Sequence, residues 1–138
     1  MTGVQTCALP ICLREFRHLV GDASAHEPEL VRAARELIAR GRSQAIVVSL
    51  GGGGALWVTA AESERLLAPA VTVASSVGAG DAMVAGIVLA LARGWPPREA
   101  ARFGVAAGAA AVMNPGTELC RREDAERLYD AMRAAPAL

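Results

Sequence analysis

A single carboxylate follows a run of small residues in the middle of the chain. The segment from Ser75 to Asp81 reads Ser-Ser-Val-Gly-Ala-Gly-Asp, and the apolar run Ala82–Val88 follows it directly. This pattern predicts the first turn of a buried helix, where unpaired backbone N–H groups and a partial positive charge attract anions. A carboxylate at that point can accept the proton of a hydroxyl while the amides hold a phosphoryl group. The segment therefore indicates a kinase acting on a small alcohol.

Two simpler interpretations stay open at the level of the residues alone. An Asp after glycines is common at the beginning of a helix, so Asp81 could be an ordinary cap. A second glycine run, Gly51–Gly54, could be a hairpin turn or a loop that approaches a phosphate or a ribose. Because a strand-like segment, Ala55–Val58, follows this run, the fingerprint of a dinucleotide-binding oxidoreductase is excluded.

The composition narrows the class of protein. The chain has 138 residues, of which 53% are hydrophobic and only 4% aromatic, so we expect one modest domain with a core of Ala, Val, Leu and Gly. Fourteen basic and fourteen acidic residues cancel, so we expect no nucleic-acid partner. The apolar run Ala82–Ala92 is too short to span a bilayer, and we find no signal peptide, so we expect a cytoplasmic protein without a membrane partner. The three cysteines lack metal-binding spacing and are expected to be free thiols.

The periodicity predicts an α/β layered domain. Gly104 and Gly108 are four residues apart, which permits close packing against a neighbouring helix. The predicted helices cover residues 13–20, the segment from Pro28 to Gly41, and residues 80–92, 98–113 and 123–132. The predicted strands cover residues 45–48 and 55–58, a short stretch near Leu66 and Leu67, and Val71–Val73.

The first eleven residues fit poorly with the rest of the chain. Residues 1–11 show no clear periodicity and resemble the translation of a sequencing-library adapter. We expect residues 1–11 to be non-native and residues 12–138 to be the protein itself, and we leave the first segment out of the fold prediction. The alternative is an ordinary N-terminal strand.

The longer context of Asp81 resembles the PfkB (ribokinase-like) family of carbohydrate kinases. Residues 75–88 satisfy the C-terminal signature of that family, and Ile46–Gly51 resembles the strand that leads into its nucleotide loop. The segments Arg102–Gly108 and Asn114–Cys120 resemble most closely its phosphofructokinase branch. The resemblance covers residues 12–138. It implies a ribokinase-like α/β fold with a mostly parallel sheet flanked by helices, this chain being the C-terminal portion, without the N-terminal half and the β-sheet lid.

The resemblance also assigns roles to single residues. Asp81 matches the catalytic base, and Gly78, Ala79 and Gly80 match the anion hole. In the nucleotide site, Ser49 and Gly51 correspond to the nucleotide-binding loop. Val105 and Ala109 correspond to positions beside the adenine, although by sequence alone they are equally ordinary positions of a core helix.

Two metal sites follow from the same resemblance. Glu15 matches a family carboxylate that organises Mg²⁺ through water, but Cys12 stands where the family motif has Asn, and a solvated helix carboxylate is the alternative. A monovalent-cation loop, expected to hold K⁺ largely through backbone carbonyls, aligns with two segments of the chain. Related enzymes often carry Arg where Glu118 stands. The aligned residues are Ser75, Val77, Ala111, Asn114, Gly116 and Glu118.

The function that this resemblance implies is ATP-dependent phosphorylation of fructose 6-phosphate to the 1,6-bisphosphate. The alternatives keep the chemistry and change the acceptor to fructose 1-phosphate, tagatose 6-phosphate or another sugar or nucleoside. A further alternative is a non-catalytic fragment that binds nucleotide weakly, since we expect the chain by itself to be inactive. The full-length form is expected to be a homodimer.

Overall fold

The computed structural model describes residues 8–21 and 26–135. The elements, in chain order, divide between two compact units. The first unit contains the residues up to Gly51 together with Ala55–Arg65, and the second contains Gly52–Gly54 and the residues from Leu66 onward. The elements are β1 (Ala8–Cys12), α1 (Leu13–Val20), α2 (Glu27–Ala39), β2 (Ala45–Ser49), a 3-10 turn (Gly51–Gly53), β3 (Ala55–Thr59), β4 (Ser63–Leu66), α3 (Ala79–Ala92), α4 (Pro97–Val112) and α5 (Arg122–Ala134).

The first unit is built on a sheet with the strand order β1-β2-β3-β4. Strand β1 runs parallel to β2, with Ile11 opposite Val48, whereas β2 and β3 are antiparallel, with Val47 opposite Trp57. The first four residues of both β2 and β3 are buried without alternation, as expected for strands covered on both faces. The buried side chain of Phe16 on α1 belongs to the same core cluster as residues of α2 and of these strands.

The second unit is a group of three helices packed through glycines. A Cβ added at Gly104 would lie 2.5 Å from Ile87 Cγ1 and 2.8 Å from the Met83 carbonyl oxygen, so only glycine lets α3 and α4 approach so closely. Gly108 lies in the same contact, its added Cβ being 3.1 Å from the Ala79 carbonyl oxygen. The prediction that this pair of glycines permits close helix packing is therefore confirmed, and the neighbour is α3.

An aromatic cluster joins α4 to α5. The rings of Trp95, Phe103 and Tyr129 lie 5.3 to 5.7 Å apart between centroids. The Tyr129 hydroxyl donates a hydrogen bond of 2.7 Å to Glu99, and Glu99 also pairs with Arg102 at 2.6 Å. Burial and the neighbouring Glu99 carboxylate raise the pKa of Tyr129 to about 12. These contacts hold α5 against α4.

Most of the predicted elements are confirmed, and two differences are informative. Val71–Val73, predicted as a strand, has no regular secondary structure, because the chain there runs toward α3 and the next backbone amides bond to the end of a helix. Ala8–Cys12 forms strand β1, and all of it except Cys12 lies in the segment that we left out of the fold prediction. This geometry agrees with the alternative of an N-terminal strand for residues 8–11, whereas residues 1–7 lie outside the described part. The origin of the segment stays a prediction.

A search of the described residues finds no helix with the length and apolar character needed to cross a membrane.

Candidate active site at the beginning of α3

Helix α3 begins after a glycine rather than after a residue with a capping side chain. Gly78 is the N-cap residue and has φ +83°, a left-handed conformation that other residues adopt at a cost. Among the described residues, no side chain forms a capping hydrogen bond there. The first amides of a helix have no intrahelical acceptor, so those of Ala79, Gly80 and Asp81 are available to an outside group. Asp81 lies in this first turn and is exposed.

The glycines at the beginning of α3 border open space. In the described part of the chain, no atom outside the adjacent backbone lies within 4 Å of a Cβ added at Gly78 or at Gly80. A side chain at either position would therefore enter open space at the beginning of the helix. The donor set and the space fit a phosphoryl group, which helix N-termini bind well. The anion-hole prediction for residues 78–80 agrees with this geometry and stays a prediction.

The segment before α3 is attached to the end of α4. The backbone N–H groups of Ala74 and Ser75 donate hydrogen bonds of 2.7 and 3.2 Å to the Val112 carbonyl. The Ser75 hydroxyl in turn accepts a hydrogen bond of 3.2 Å from the Val77 amide. This contact brings the two segments of the predicted cation loop, residues 75–77 and 111–118, next to each other.

The loop after α4 is held by Asn114. This residue is 7% exposed, its side-chain amide donates 2.9 Å to the Leu119 carbonyl, and its backbone N–H donates 3.2 Å to the Ala111 carbonyl. Gly116 allows the turn with φ +62°. Backbone carbonyl oxygens can replace the hydration shell of K⁺, so a turn of this kind is compatible with the predicted ion. The K⁺ site stays a prediction, and it depends on backbone oxygens rather than on the Glu118 carboxylate.

A cavity of about 670 Å³ opens within the second unit beside Asp81. Its walls come from α3, α4, the loop after α4 and the beginning of α5. Five of the predicted site residues line it together: Val77, Gly78, Asp81, Ala111 and Glu118. Most of the remaining wall is apolar, from residues such as Ala85, Leu89 and Phe103. The carboxylate of Asp81 therefore borders an apolar cavity of the size that holds a small molecule.

The sequence analysis missed part of this cavity wall. Thr117, Leu119, Cys120 and Arg122 also line it. Burial, with a smaller contribution from Asp124, raises the pKa of the Cys120 thiol. The signal available in the sequence was the position of these residues just after the Asn-Pro-Gly stop of α4, which returns the chain toward the beginning of α3.

The other predicted nucleotide residues occupy different surroundings. Val105 and Ala109 are 5% and 7% exposed in the core of the second unit, which agrees with the ordinary core positions left open above. In the first unit, Ser49 ends β2 and Gly51 begins the turn to β3 with φ +60°. The glycine run thus does form a hairpin connection, and its role toward a nucleotide stays a prediction.

Glu15 has a structural partner in the first unit. Its backbone N–H donates 3.4 Å to Cys12 Sγ, and its carboxylate accepts 3.4 Å from the Cys12 N–H, which together form a capping box at the beginning of α1. The carboxylate is exposed, so an oxygen can still reach a hydrated Mg²⁺. Within the described ranges, no group of three or more His, Cys, Asp or Glu side chains could hold a metal ion. The Mg²⁺ role of Glu15, through water, therefore stays a prediction.

Comparison with known proteins defines the class. The sequence profile of the pfkB family of carbohydrate kinases matches residues 11–124. ATP-dependent 6-phosphofructokinase isozyme 2 from Mycobacterium tuberculosis is 48% identical over 122 residues, which are 88% of this chain and 36% of that protein. The 1-phosphofructokinase of Rhodobacter capsulatus is 42% identical over 103 residues, 75% of this chain and 31% of its own length.

The solved structures agree in fold. Phosphofructokinase-2 from Escherichia coli, solved in complex with potassium, superposes with a TM-score of 0.86 at 36% identity, over 91% of this chain and 41% of that one. The same E. coli protein has also been solved in a tetrameric inhibited form. This chain belongs to the pfkB family of carbohydrate kinases and has the ribokinase-like α/β fold of that family. It spans well under half the length of these relatives.

Proposed function

We propose that this chain carries the phosphoryl-transfer part of an ATP-dependent sugar-phosphate kinase. The observation that carries the proposal is the uncapped beginning of α3, where free amides, open space and the exposed Asp81 carboxylate lie within one helical turn. Family membership supports ATP as the phosphoryl donor, with Mg²⁺ to balance its charge.

In the proposed reaction, Asp81 acts as the general base. The sugar hydroxyl oxygen attacks the γ-phosphorus of ATP, the bond from that phosphorus to the β,γ-bridging oxygen breaks, and ADP leaves. The hydroxyl proton passes to the Asp81 carboxylate. The amides of Ala79, Gly80 and Asp81 stabilise the charge on the transferred group, because they are fixed before the reaction begins.

The metal ions have supporting roles in this proposal. Glu15 would hold Mg²⁺ through water, and the ion would neutralise the phosphate charge. Carbonyls of the segments 75–77 and 111–118 would hold K⁺, which would keep the two segments together near the anion hole. The potassium complex of the E. coli neighbour supports this second assignment.

For the acceptor, we propose fructose 6-phosphate, with fructose 1-phosphate as the second candidate. The support is the order of identity, 48% to a 6-phosphofructokinase isozyme 2 against 42% to a 1-phosphofructokinase. For the assembly, we propose a homodimer of the full-length protein, and the tetrameric form of the E. coli neighbour is the alternative to compare by sedimentation.

A chimera tests the proposal. Residues 12–138 replace the matched region of the M. tuberculosis relative, and ADP formation is measured with ATP and either sugar phosphate. We expect turnover with fructose 6-phosphate, and its loss in Asp81→Asn with unchanged thermal stability. A folded Asp81→Asn chimera with near-normal turnover would exclude Asp81 as the base. Higher turnover with fructose 1-phosphate would make that sugar phosphate, the second candidate, the acceptor.

The chain by itself is the second sample in this experiment. We expect it to show no sugar kinase activity and at most weak binding of ATP, as the non-catalytic alternative describes. Robust turnover by the isolated chain would contradict the expectation that it is an inactive fragment.

A further inference from the structure

The cavity at the candidate site is bounded in part by the facing sides of α4 and α5. From α4, the residues Phe103, Ala107 and Ala111 line it at intervals of four, so they form one row along that helix. From α5, the lining residues are Arg122 and Ala125. The distance between α4 and α5 therefore sets the width of this part of the cavity.

A hydrogen bond joins the two helices one turn beyond these rows. Glu99 is one turn before Phe103 on α4, and Tyr129 is one turn after Ala125 on α5. The Tyr129 hydroxyl donates 2.7 Å to Glu99 Oε2. Since Tyr129 is buried, water has little access with which to replace this bond. The bond thus fixes α5 against α4 next to the cavity wall.

Two further contacts connect this bond to the cavity. Glu99 Oε1 pairs with Arg102 at 2.6 Å, which orients the carboxylate and leaves Oε2 for the Tyr129 hydroxyl. Hydrogen bonds to an ionised carboxylate are stronger than those between neutral groups. The Phe103 and Tyr129 rings meet edge to face, 5.7 Å apart between centroids, and Phe103 also lines the cavity. A shift of Tyr129 would therefore reach the cavity wall through Phe103 as well as through α5.

We propose that Tyr129 is a positioning residue of the candidate active site: its hydrogen bond to Glu99 holds α5 against α4, and so keeps the cavity at the width that the acceptor needs beside Asp81. This inference rests on the proposed function for the identity of the acceptor. Without the bond, the positioned arrangement is populated for a smaller fraction of the time, and the apparent affinity falls in proportion. A bound acceptor selects the positioned arrangement, so kcat at saturation changes little.

The hydrogen bond can be observed directly, because Tyr129 is the only tyrosine of the chain. Burial, with the hydrogen bond and charge of Glu99, raises the pKa of Tyr129 to about 12, against the opposing charges of Arg133 and Arg102. Ultraviolet absorbance measures tyrosinate in the isolated chain at a pH of about 11, above the ordinary tyrosine pKa of about 10. We expect Tyr129 to stay mostly protonated there. Ionisation at the ordinary pKa, with the helical circular dichroism intact, would overturn the proposal.

An affinity measurement tests the positioning role. Fructose 6-phosphate is titrated into the chimera by calorimetry, and KM and kcat are measured by ADP formation. Tyr129→Phe removes only the hydroxyl, and we expect it to raise Kd and KM about three- to tenfold while kcat stays within about twofold. In a Glu99→Leu background, Tyr129→Phe should have no further effect, because the bond is already absent.

Arg133→Gln is the matched control. The Arg133 guanidinium lies over the Tyr129 ring, 5.6 Å from its centroid, so the change alters the surroundings of the same ring and leaves the hydroxyl bond in place. We expect Kd and KM to equal those of the parent. A lower melting temperature in Tyr129→Phe with unchanged Kd and KM would show that the bond only stabilises the fold, and would overturn the proposal.

The binding measurement also separates this proposal from the catalytic one. Calorimetry needs no turnover, so near-normal turnover in Asp81→Asn would exclude the base without changing the result for Tyr129. The titration is repeated with fructose 1-phosphate, and a rise in Kd for that sugar phosphate alone would support the positioning role while correcting the acceptor. Equal affinities of the parent and Tyr129→Phe for both sugar phosphates would overturn the positioning role.

Discussion

Helices α1 and α3 begin in opposite ways although both carry a carboxylate at the third helical position. In α1, the Glu15 carboxylate turns back to the N–H of Cys12, and the Cys12 sulfur accepts the Glu15 N–H. In α3, the residue before the helix is Gly78, which has no side chain, and no described side chain caps the turn. The first helix thus uses its carboxylate for its own stability, whereas the second leaves both the amides and the carboxylate of Asp81 available.

This difference separates a structural carboxylate from a candidate catalytic one. The shorter Asp side chain and the left-handed Gly78 both disfavour the reciprocal capping that Glu15 achieves. A helix that begins without a capping side chain is less stable than a capped one. Its presence beside an open cavity therefore favours a binding role for the free amides. Four experiments test this difference between the two helix beginnings.

The largest expected effect is on turnover. In the chimera, Asp81→Asn should lower kcat about 10²- to 10⁴-fold, since a general base contributes that much to proton transfer. Glu15→Gln keeps an oxygen for the capping box and should instead raise the Mg²⁺ concentration needed for half-maximal rate by about tenfold. Both are measured by ADP formation over a Mg²⁺ titration. An equal loss of kcat for both variants at saturating Mg²⁺ would remove the distinction between the two carboxylates.

A second experiment fills the space in front of α3. Gly80→Val should weaken ATP binding to the chimera by about tenfold or more, equivalent to roughly 1.4 kcal/mol, because the side chain would occupy the space of the phosphate. Binding is measured by calorimetry. Ala131→Val, which adds the same kind of side chain at an exposed position on α5, is the control. Unchanged ATP affinity in Gly80→Val would show that phosphate is held elsewhere.

The third experiment compares two alanine substitutions within the same turn. Gly78→Ala should lower the free energy of unfolding by about 1–2 kcal/mol, since φ +83° is strained for a residue with a Cβ. Gly80→Ala has open space around its added Cβ and should be neutral or stabilising by up to about 1 kcal/mol. Urea denaturation gives both values. Similar destabilisation by both changes would contradict the left-handed cap.

The smallest expected effect concerns the beginning of α1. Cys12→Asn places a strong capping residue where sulfur now accepts the Glu15 N–H at 3.4 Å, and should stabilise the chain by about 0.5–1 kcal/mol. Denaturant unfolding measures the gain, with Cys120→Asn as the control for loss of a thiol elsewhere. A loss of stability in Cys12→Asn would mean that the sulfur packs rather than caps.

Local patterns in the sequence predicted the elements well. The helices could be predicted because glycine and proline residues such as Gly41 and Pro97 lie at the ends of their periodic segments. The unbroken apolar run Ile46–Val48 predicted a strand covered on both faces. Val71–Val73 has equally β-branched residues but no strand, because a β-branched run does not reveal whether a partner strand lies beside it.

The sequence predicted segments of the candidate site better than it predicted the contacts between them. The segment Gly78–Asp81 could be assigned from its context, but the cavity wall at Leu119 and Cys120 depends on how the loop after α4 folds back. The exposure of Val84 and Val88 on α3, at 39% and 58%, was also unpredictable, since the apolar run predicts a buried helix whether or not another element covers it. Both features depend on which segments lie close together in the fold. A single sequence does not give the distances between segments that are far apart along the chain.

The two hydrogen bonds from Ala74 and Ser75 to the Val112 carbonyl have a mechanical consequence. They tie the segment before α3 to the last turn of α4, so movement of one of these segments is coupled to movement of the other. We therefore expect a substitution that displaces the Asn114 loop to shift the segment that leads into Asp81 as well.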